Sequence, residues 1–452
     1  MPYNSSVDKS FLSTICDQYE KYAHIPASAF KNANVKRGLR NADGTGVVAG
    51  VTNICNVHGY IVYEGDKVPD EGVLTYRGYN LNDLVGGFVQ EGRYGFEETA
   101  FLLMFGFLPN RDQLTQFTDL IDKCRPLPDN FTEDMILKAP SRNIMNKLAR
   151  SVLALYSYDH DPDNTGLEQL MERCILFIAR FPTIVAHAYM AKRHYFDRES
   201  MHIHYPKEGL STSETILRTI RPDKQYSQAE AHLLDTALIL HAEHGGGNNS
   251  TFVARAVASS GTDVYSAIAA AIGSLKGPKH GGANIKVVEM VDHFKQNVQN
   301  YEDEEEVAAF IRKVLDKEAG DGSGLIYGMG HAIYTKSDPR AILLKQQAQA
   351  LAVEKGMDKE FRLLQNIEKM TPVVFQERGN EKAMCANVDL YSGFVYEMLG
   401  IPREIFTPLF AIARVAGWSA HVMEEFTTGK KLMRPAYKSA GGFKFYTPLD
   451  QR

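Results

Sequence analysis

The sequence predicts a mainly α-helical protein with a small β region near its N-terminus. Two observations carry this reading. From about residue 94 almost to the C-terminus, apolar residues recur at three- and four-residue spacing between polar caps and glycine stops. Ahead of that, residues 46–77 hold short Gly-punctuated runs such as GYIVYEG and GVLTYRG, the pattern of a hairpin or small sheet. The first 45 or so residues are polar and read as irregular. There is no fixed-period repeat and no low-complexity segment. With 452 residues the chain has room for a large core and more than one domain. No linker cuts it cleanly, so a second domain would be an insertion.

Several helices announce their ends. Ser227 followed by Glu230 is a capping-box signature ahead of HLLDTALILHAEH. Asp263 caps a helix whose Val264, Ala267, Ile268, Ala271, Ile272 and Leu275 share a face, and Gly277-Pro278 stops it. The acidic run Glu302 to Glu306 suits the positive end of a helix dipole, and Val307, Phe310, Ile311 and Val314 then line one side. Asp338-Pro339 starts another helix, with proline in the first turn. Thr407-Pro408 is expected to start the last long one, through FAIARVAGWSAHVMEEF. These stripes indicate core packing and no particular chemistry.

Composition narrows the function classes. Hydrophobic content of 44% and charged content of 23% are ordinary for a globular protein, and the net charge is −5. No basic stripe of a nucleic-acid binder is present. No run of 18 or more apolar residues suggests a membrane span. The N-terminal stretch lacks an apolar signal core and carries Asp8, Asp17 and Glu20 before its first arginine, Arg37, so a cytoplasmic location is expected. Cys16, Cys55, Cys124, Cys174 and Cys385 are scattered and form no CxxC, which reads as reduced thiols rather than a disulfide frame or cysteine zinc site.

Chemistry concentrates in Gly-rich breaks between helices. HAEHGGGNNSTF carries His241 and His244, KGPKHGGAN carries His280, and IYGMGHAIYTKSDPRA carries His331. A fourth segment, ANVDLYSG, sets Asp389 at a helix start. Glycine lets backbone approach a ligand, helix ends offer a dipole, and histidine exchanges protons near neutral pH. A carboxylate beside histidines suggests proton abstraction or metal binding. Each segment alone is equally a structural loop. HAEH puts two histidines on one helix face, as a zinc site would, but it is not HExxH and no third ligand lies nearby in sequence. HGGG is the oxyanion loop of some lipases, but no GxSxG elbow accompanies it.

Taken in order, GPKHGGAN, GMGHAIYTKSDPRA, NVDLYSG and FTPLFAIARVAGWSAH resemble the citrate synthase family, as do GVLTYRGYNLNDL and FEETAFLLMFGFLP nearer the N-terminus. The resemblance covers roughly residues 45 to 440. It implies a two-domain helical fold: a large domain of residues 1–281 plus 395–452 and a small domain of 282–394 inserted between them, closing on oxaloacetate. It implies condensation of acetyl-CoA with oxaloacetate and hydrolysis of the thioester, with no metal, no cofactor beyond the substrates, and at least a homodimer. By the same resemblance Asp389 is the base for the acetyl methyl, His280 the donor to the thioester oxygen, and His331 the donor to the oxaloacetate carbonyl. His244, Arg340 and Arg414 resemble oxaloacetate ligands, and Arg434 an arginine lent by the partner subunit. Leu325, Gly328 and Gly330 fall in the family's adenine-contacting segment.

Two departures stand out. Gly245, Gly246 and Gly247 occupy positions where many members have an acidic residue and then Gln or Gly. Thr335 stands where the family often has Lys or Arg toward the CoA phosphates, and Lys336 is expected to substitute. The nearest rival is a 2-methylcitrate synthase using propionyl-CoA, since one methylene changes affinity by only about 1–3 kcal/mol. More remote readings are a zinc-dependent hydrolase built on HAEH and a non-enzymatic binding module.

Overall fold

The computed structural model describes residues 9–380 and 383–452. Ala49–Met433 form one compact unit, and the described residues up to Val48 together with Arg434–Arg452 form a second.

The larger unit opens with the expected hairpin. Strand β1, Cys55–Tyr63, pairs antiparallel with β2, Asp66–Tyr76, and a two-residue strand β3, Tyr79–Asn80, adds to the other side of β2. Glu64 and Gly65 both take positive φ, 50° and 91°, the tight turn whose twist matches a hairpin. The register slips between His58 and Tyr60, which sets Gly59 at a bulge.

Helices follow, and most predicted starts hold. The Gln228–His241 helix carries a complete capping box from Ser227 and Glu230. Asp263 caps Val264–Leu275, Asp303 caps Glu304–Leu315, and Asp338 caps Pro339–Glu354. The last long helix differs. It spans Phe406–Thr428, begins ahead of Thr407, and has no side-chain cap. The Thr407 hydroxyl instead donates to the Gly281 carbonyl at 2.9 Å, so it ties this helix to the loop holding His280. Among the described residues, two helices, Leu167–Asp197 and the run Arg403–Thr428, are long and apolar enough to cross a membrane, but both are largely buried inside the protein. Trp418, fully buried, sits on the second.

The smaller unit departs from expectation. Rather than irregular chain it contains helices at Lys9–Ala23 and Ala27–Asn32, neither with a buried residue. Phe11, Ile15, Tyr19 and Tyr22 do recur at helical spacing, but polar residues interleave them so densely that the periodicity is hidden.

Candidate active site

The site is assembled around one face of the Phe406–Thr428 helix. Arg414, Gly417, Trp418 and His421 fall at spacings of three, four and seven, which stack on one side of a helix. Each meets the segment that begins with His241. The Arg414 Nε donates to the His241 carbonyl at 2.7 Å. Trp418 Nε1 donates to Ser250 Oγ at 3.1 Å, and His421 Nε2 donates to Glu243 Oε1 at 2.9 Å. Gly417 is required here, because a Cβ at that position would stand 2.1 Å from Glu243 Oε2.

Ser250 in turn holds His280. Its hydroxyl lies 2.9 Å from His280 Nε2, and its backbone N–H donates to the same nitrogen at 3.3 Å. An amide N–H can only point at a lone pair, so the His280 proton resides on Nδ1. Burial, with the Arg414 charge adding to it, lowers the His280 pKa to about 4. His280 is therefore a neutral donor throughout the neutral range.

His331 is oriented the same way. Its Nδ1 accepts the backbone N–H groups of Ile333 and Tyr334, both at 3.1 Å, which leaves the proton on Nε2. The Tyr334 ring stacks on His331 at 4.7 Å, and its hydroxyl is 3.2 Å from His244 Nε2. The His244 and His331 rings meet edge to face at 5.1 Å. Burial first, then the charge of Arg340, holds His244 well below the usual imidazole range.

Asn387 joins this loop to Asp389. The Asn387 Nδ2 donates to the Gly330 carbonyl at 2.9 Å, its backbone N–H donates to the Gly328 carbonyl at 2.9 Å, and its Oδ1 accepts the Asp389 N–H at 3.0 Å. Asp389 thus sits in the first turn of the Val388–Met398 helix, beside the residues preceding His331. Gly328, at φ 82°, packs so closely that a Cβ would lie 3.0 Å from Leu390 Cα. Burial raises the Asp389 carboxyl to about 6, with Arg340 and Arg414 pulling back and Asp338 adding to the rise.

The two arginines expected to bind oxaloacetate differ. Arg340 is paired with Asp338, Nε to Oδ1 at 3.1 Å and Nη2 to Oδ2 at 2.8 Å, so the helix cap is also its counter-ion. Arg414 is fully buried, and neither of its Nη atoms has a hydrogen-bond partner. A buried guanidinium with both outer nitrogens unmatched is built to receive an anion. His241 likewise has both ring nitrogens unmatched, and its ring lies against Phe410 at 4.4 Å. Among the described residues, no group of three or more His, Cys, Asp and Glu side chains is placed to hold a metal ion.

Leu325 is exposed, whereas Gly330, at φ 87°, is half-buried beside His331 and hydrogen-bonded to the Cys385 carbonyl and the Asn387 side chain. Lys336 is exposed. Thr335 is buried and turned away. It donates to the Gly59 carbonyl and accepts the Asp70 N–H at 3.1 Å, pinning the β1–β2 hairpin onto the His331 loop. Arg434 is exposed and belongs to the smaller unit. Sequence reasoning passed over Ser250, Tyr334, Glu243, Trp418 and His421. Their only signal was position within or opposite the Gly-rich segments.

The profile of the family described as "Citrate synthase, C-terminal domain" matches residues 41–436, most of the chain. The chain belongs to the citrate synthase family. A citrate synthase of Synechocystis sp. is 33% identical over 383 residues, covering 84% of this chain and 89% of that one. A 2-methylcitrate synthase of Shewanella oneidensis is 30% identical over 368 residues, covering 81% and 88%. The fold matches the citrate synthase of Thermoplasma acidophilum with a TM-score of 0.74 at 25% identity, covering 92% of this chain and 99% of that chain; that protein was solved as a ternary complex with carboxymethyl coenzyme A and oxaloacetate. The mainly helical architecture is that of citrate synthases.

Proposed function

We propose that this citrate synthase family member condenses acetyl-CoA with oxaloacetate and hydrolyses citryl-CoA to citrate and CoA. The observation that carries the reading is Asp389, a carboxyl raised by burial to about 6 beside two arginines and the His331 loop. Such a group is ionised at neutral pH yet basic enough to take a methyl proton. The acetyl methyl is a weak carbon acid, so its proton leaves only if the developing oxyanion meets a donor already in place. His280 Nδ1–H supplies that donor. His331 Nε2–H polarises the ketone of oxaloacetate, and the nucleophilic carbon adds to it. Arg340, Arg414 and His244 hold the two carboxylates. Water then cleaves the thioester and releases CoA.

The finer assignments are part of the same proposal. Leu325, Gly328 and Gly330 receive the CoA adenine end, and Lys336 meets its phosphates in place of the inward-turned Thr335. Residues 282–394 close as a smaller domain. Arg434 completes the site of a second copy in a homodimer. The relationship to a 2-methylcitrate synthase supports one alternative, propionyl-CoA as the preferred ester.

The test is thiol release from acetyl-CoA and propionyl-CoA with oxaloacetate, on chelator-treated enzyme. Faster turnover of acetyl-CoA supports the proposal. A preference for propionyl-CoA keeps the chemistry and changes the substrate. No release from either ester rejects it.

A further inference from the structure

Three buried or nearly buried arginines surround the dicarboxylate end of the site, and their counter-ions can be assigned one by one. Arg340 has Asp338. Arg255 has Glu424 at 2.8 Å and Glu425 at 3.0 Å. Arg414 has no carboxylate at ion-pair distance among the described residues, and one carboxylate on the same face is paired with a histidine but with no arginine or lysine. That carboxylate is Glu243. Both Glu243 and Arg414 are 0% exposed.

Glu243 carries real charge. Its Oε1 accepts the Gly245 N–H at 2.5 Å and the His421 Nε2–H at 2.9 Å, while Oε2 has no partner. The other nitrogen of His421 faces Arg255 Nη1 at 3.1 Å and accepts from it, so the His421 Nε2–H donates to Glu243. Burial opposes ionisation of Glu243, but His421 first, with Arg414 and the Gly245 N–H, outweighs it and holds the carboxyl below its ordinary range. Among the groups acting on Arg414, burial opposes its charge most, and Glu243 is the largest influence favouring it. Two contacts bring the pair into one neighbourhood. Arg414 is bound to the carbonyl two residues before Glu243, and Gly417, one turn on from Arg414, lies directly against the carboxylate.

We propose that Glu243 is the built-in counter-ion of the Arg414 clamp: it sustains the guanidinium charge in the free enzyme and competes with the incoming carboxylate for it, and so sets how tightly the dicarboxylate is held. This rests on the reading of Arg414 as an oxaloacetate ligand. Glu243 is a positioning residue and touches neither reacting carbon. A carboxylate that merely scaffolds the Gly245 loop would give weaker binding when altered. A counter-ion gives tighter binding when its charge is removed, because the substrate then becomes the sole partner of a buried cation.

The experiment is calorimetric titration of oxaloacetate into the full-length protein, with thermal melts run with and without ligand. Glu243→Gln keeps the shape and an acceptor for Gly245. It is expected to lower the Tm of the free protein, lower the oxaloacetate Kd by about tenfold, the effect of one opposite charge lost nearby, and widen the ligand-induced rise in Tm. Glu243→Asp keeps the charge, and its Kd is expected to stay within about twofold of wild type, since one protonation-state charge is retained. Should the Gln variant fail to fold, the Asp variant decides: a Kd weakened well beyond that range marks a scaffold and overturns the proposal. A Gln variant with unchanged or weaker binding overturns it too. If wild type binds no oxaloacetate, the underlying functional reading falls and takes this inference with it.

Discussion

Replacing Asp389 with asparagine is expected to stabilise the protein while removing its activity. The carboxyl ionises at about 6 in the fold against an ordinary 3.8, and burial is the main cause. A folded-state pKa raised above the unfolded value means that the protonated form favours the fold, and that this advantage is lost as pH rises through the folded pKa. At pH 7.5 the ionised carboxylate therefore opposes folding by about 3 kcal/mol, taking about 1.4 kcal/mol per pH unit between the two values. Asparagine has no charge to desolvate and escapes that cost. The gain shrinks to about 1.5 kcal/mol at pH 5, where much of Asp389 is already protonated in the fold. Urea unfolding of both proteins at pH 7.5 and pH 5, at equal concentration, measures the difference, and turnover of the variant is expected to fall by about 10³-fold. A variant no more stable than wild type at pH 7.5, or equally stabilised at both pH values, would refute the claim that burial raises this carboxyl.

Three further outcomes follow from the same geometry. Plotted against pH, kcat/KM is expected to fall on the acid side through a limb near 6, from protonation of Asp389; His280, lowered to about 4, stays neutral there, and a profile flat down to pH 5 would contradict the assignment. Ser250→Ala removes the hydroxyl shared by His280 and Trp418, so stability is expected to drop by about 1–3 kcal/mol from the orphaned indole N–H and kcat by roughly tenfold; an unchanged kcat in initial-rate assays would mean the Ser250 amide alone orients the imidazole. Lys336→Ala is expected to raise the KM for the CoA ester about fivefold at low salt, the worth of an exposed charge pair of about 1 kcal/mol, with the difference fading as salt rises. An unchanged KM would remove Lys336 from the phosphate contact.

Signals confined to a few neighbouring residues were readable in the chain. Ser227 with Glu230, Asp263 and Asp338 each cap the helix expected of them, because a cap is a contact across two or three residues. The hairpin was legible because short β-like runs broken by glycine are equally local. Thr407 looked like another cap, yet its hydroxyl goes to Gly281, 126 residues away in the chain. The N-terminal helices escaped notice because none of their residues is buried, so core packing had left no clean stripe to read.

The sequence by itself determined the chemical types at the site: neutral-range proton carriers in Gly-rich loops, a carboxylate opening a helix, and the arginines that the family resemblance marks as partners for an anion. Those types depend on residue identity and short spacing. Only the tertiary structure decided how each is tuned. Ser250 selects the His280 tautomer, the Ile333 and Tyr334 amides select that of His331, and Asp338 neutralises Arg340 while Arg414 keeps its outer nitrogens unmatched. Glu243 meets His421 across 178 residues of chain. Burial and electrostatic pairing are properties of groups brought together in space, and no local pattern in the chain encodes them.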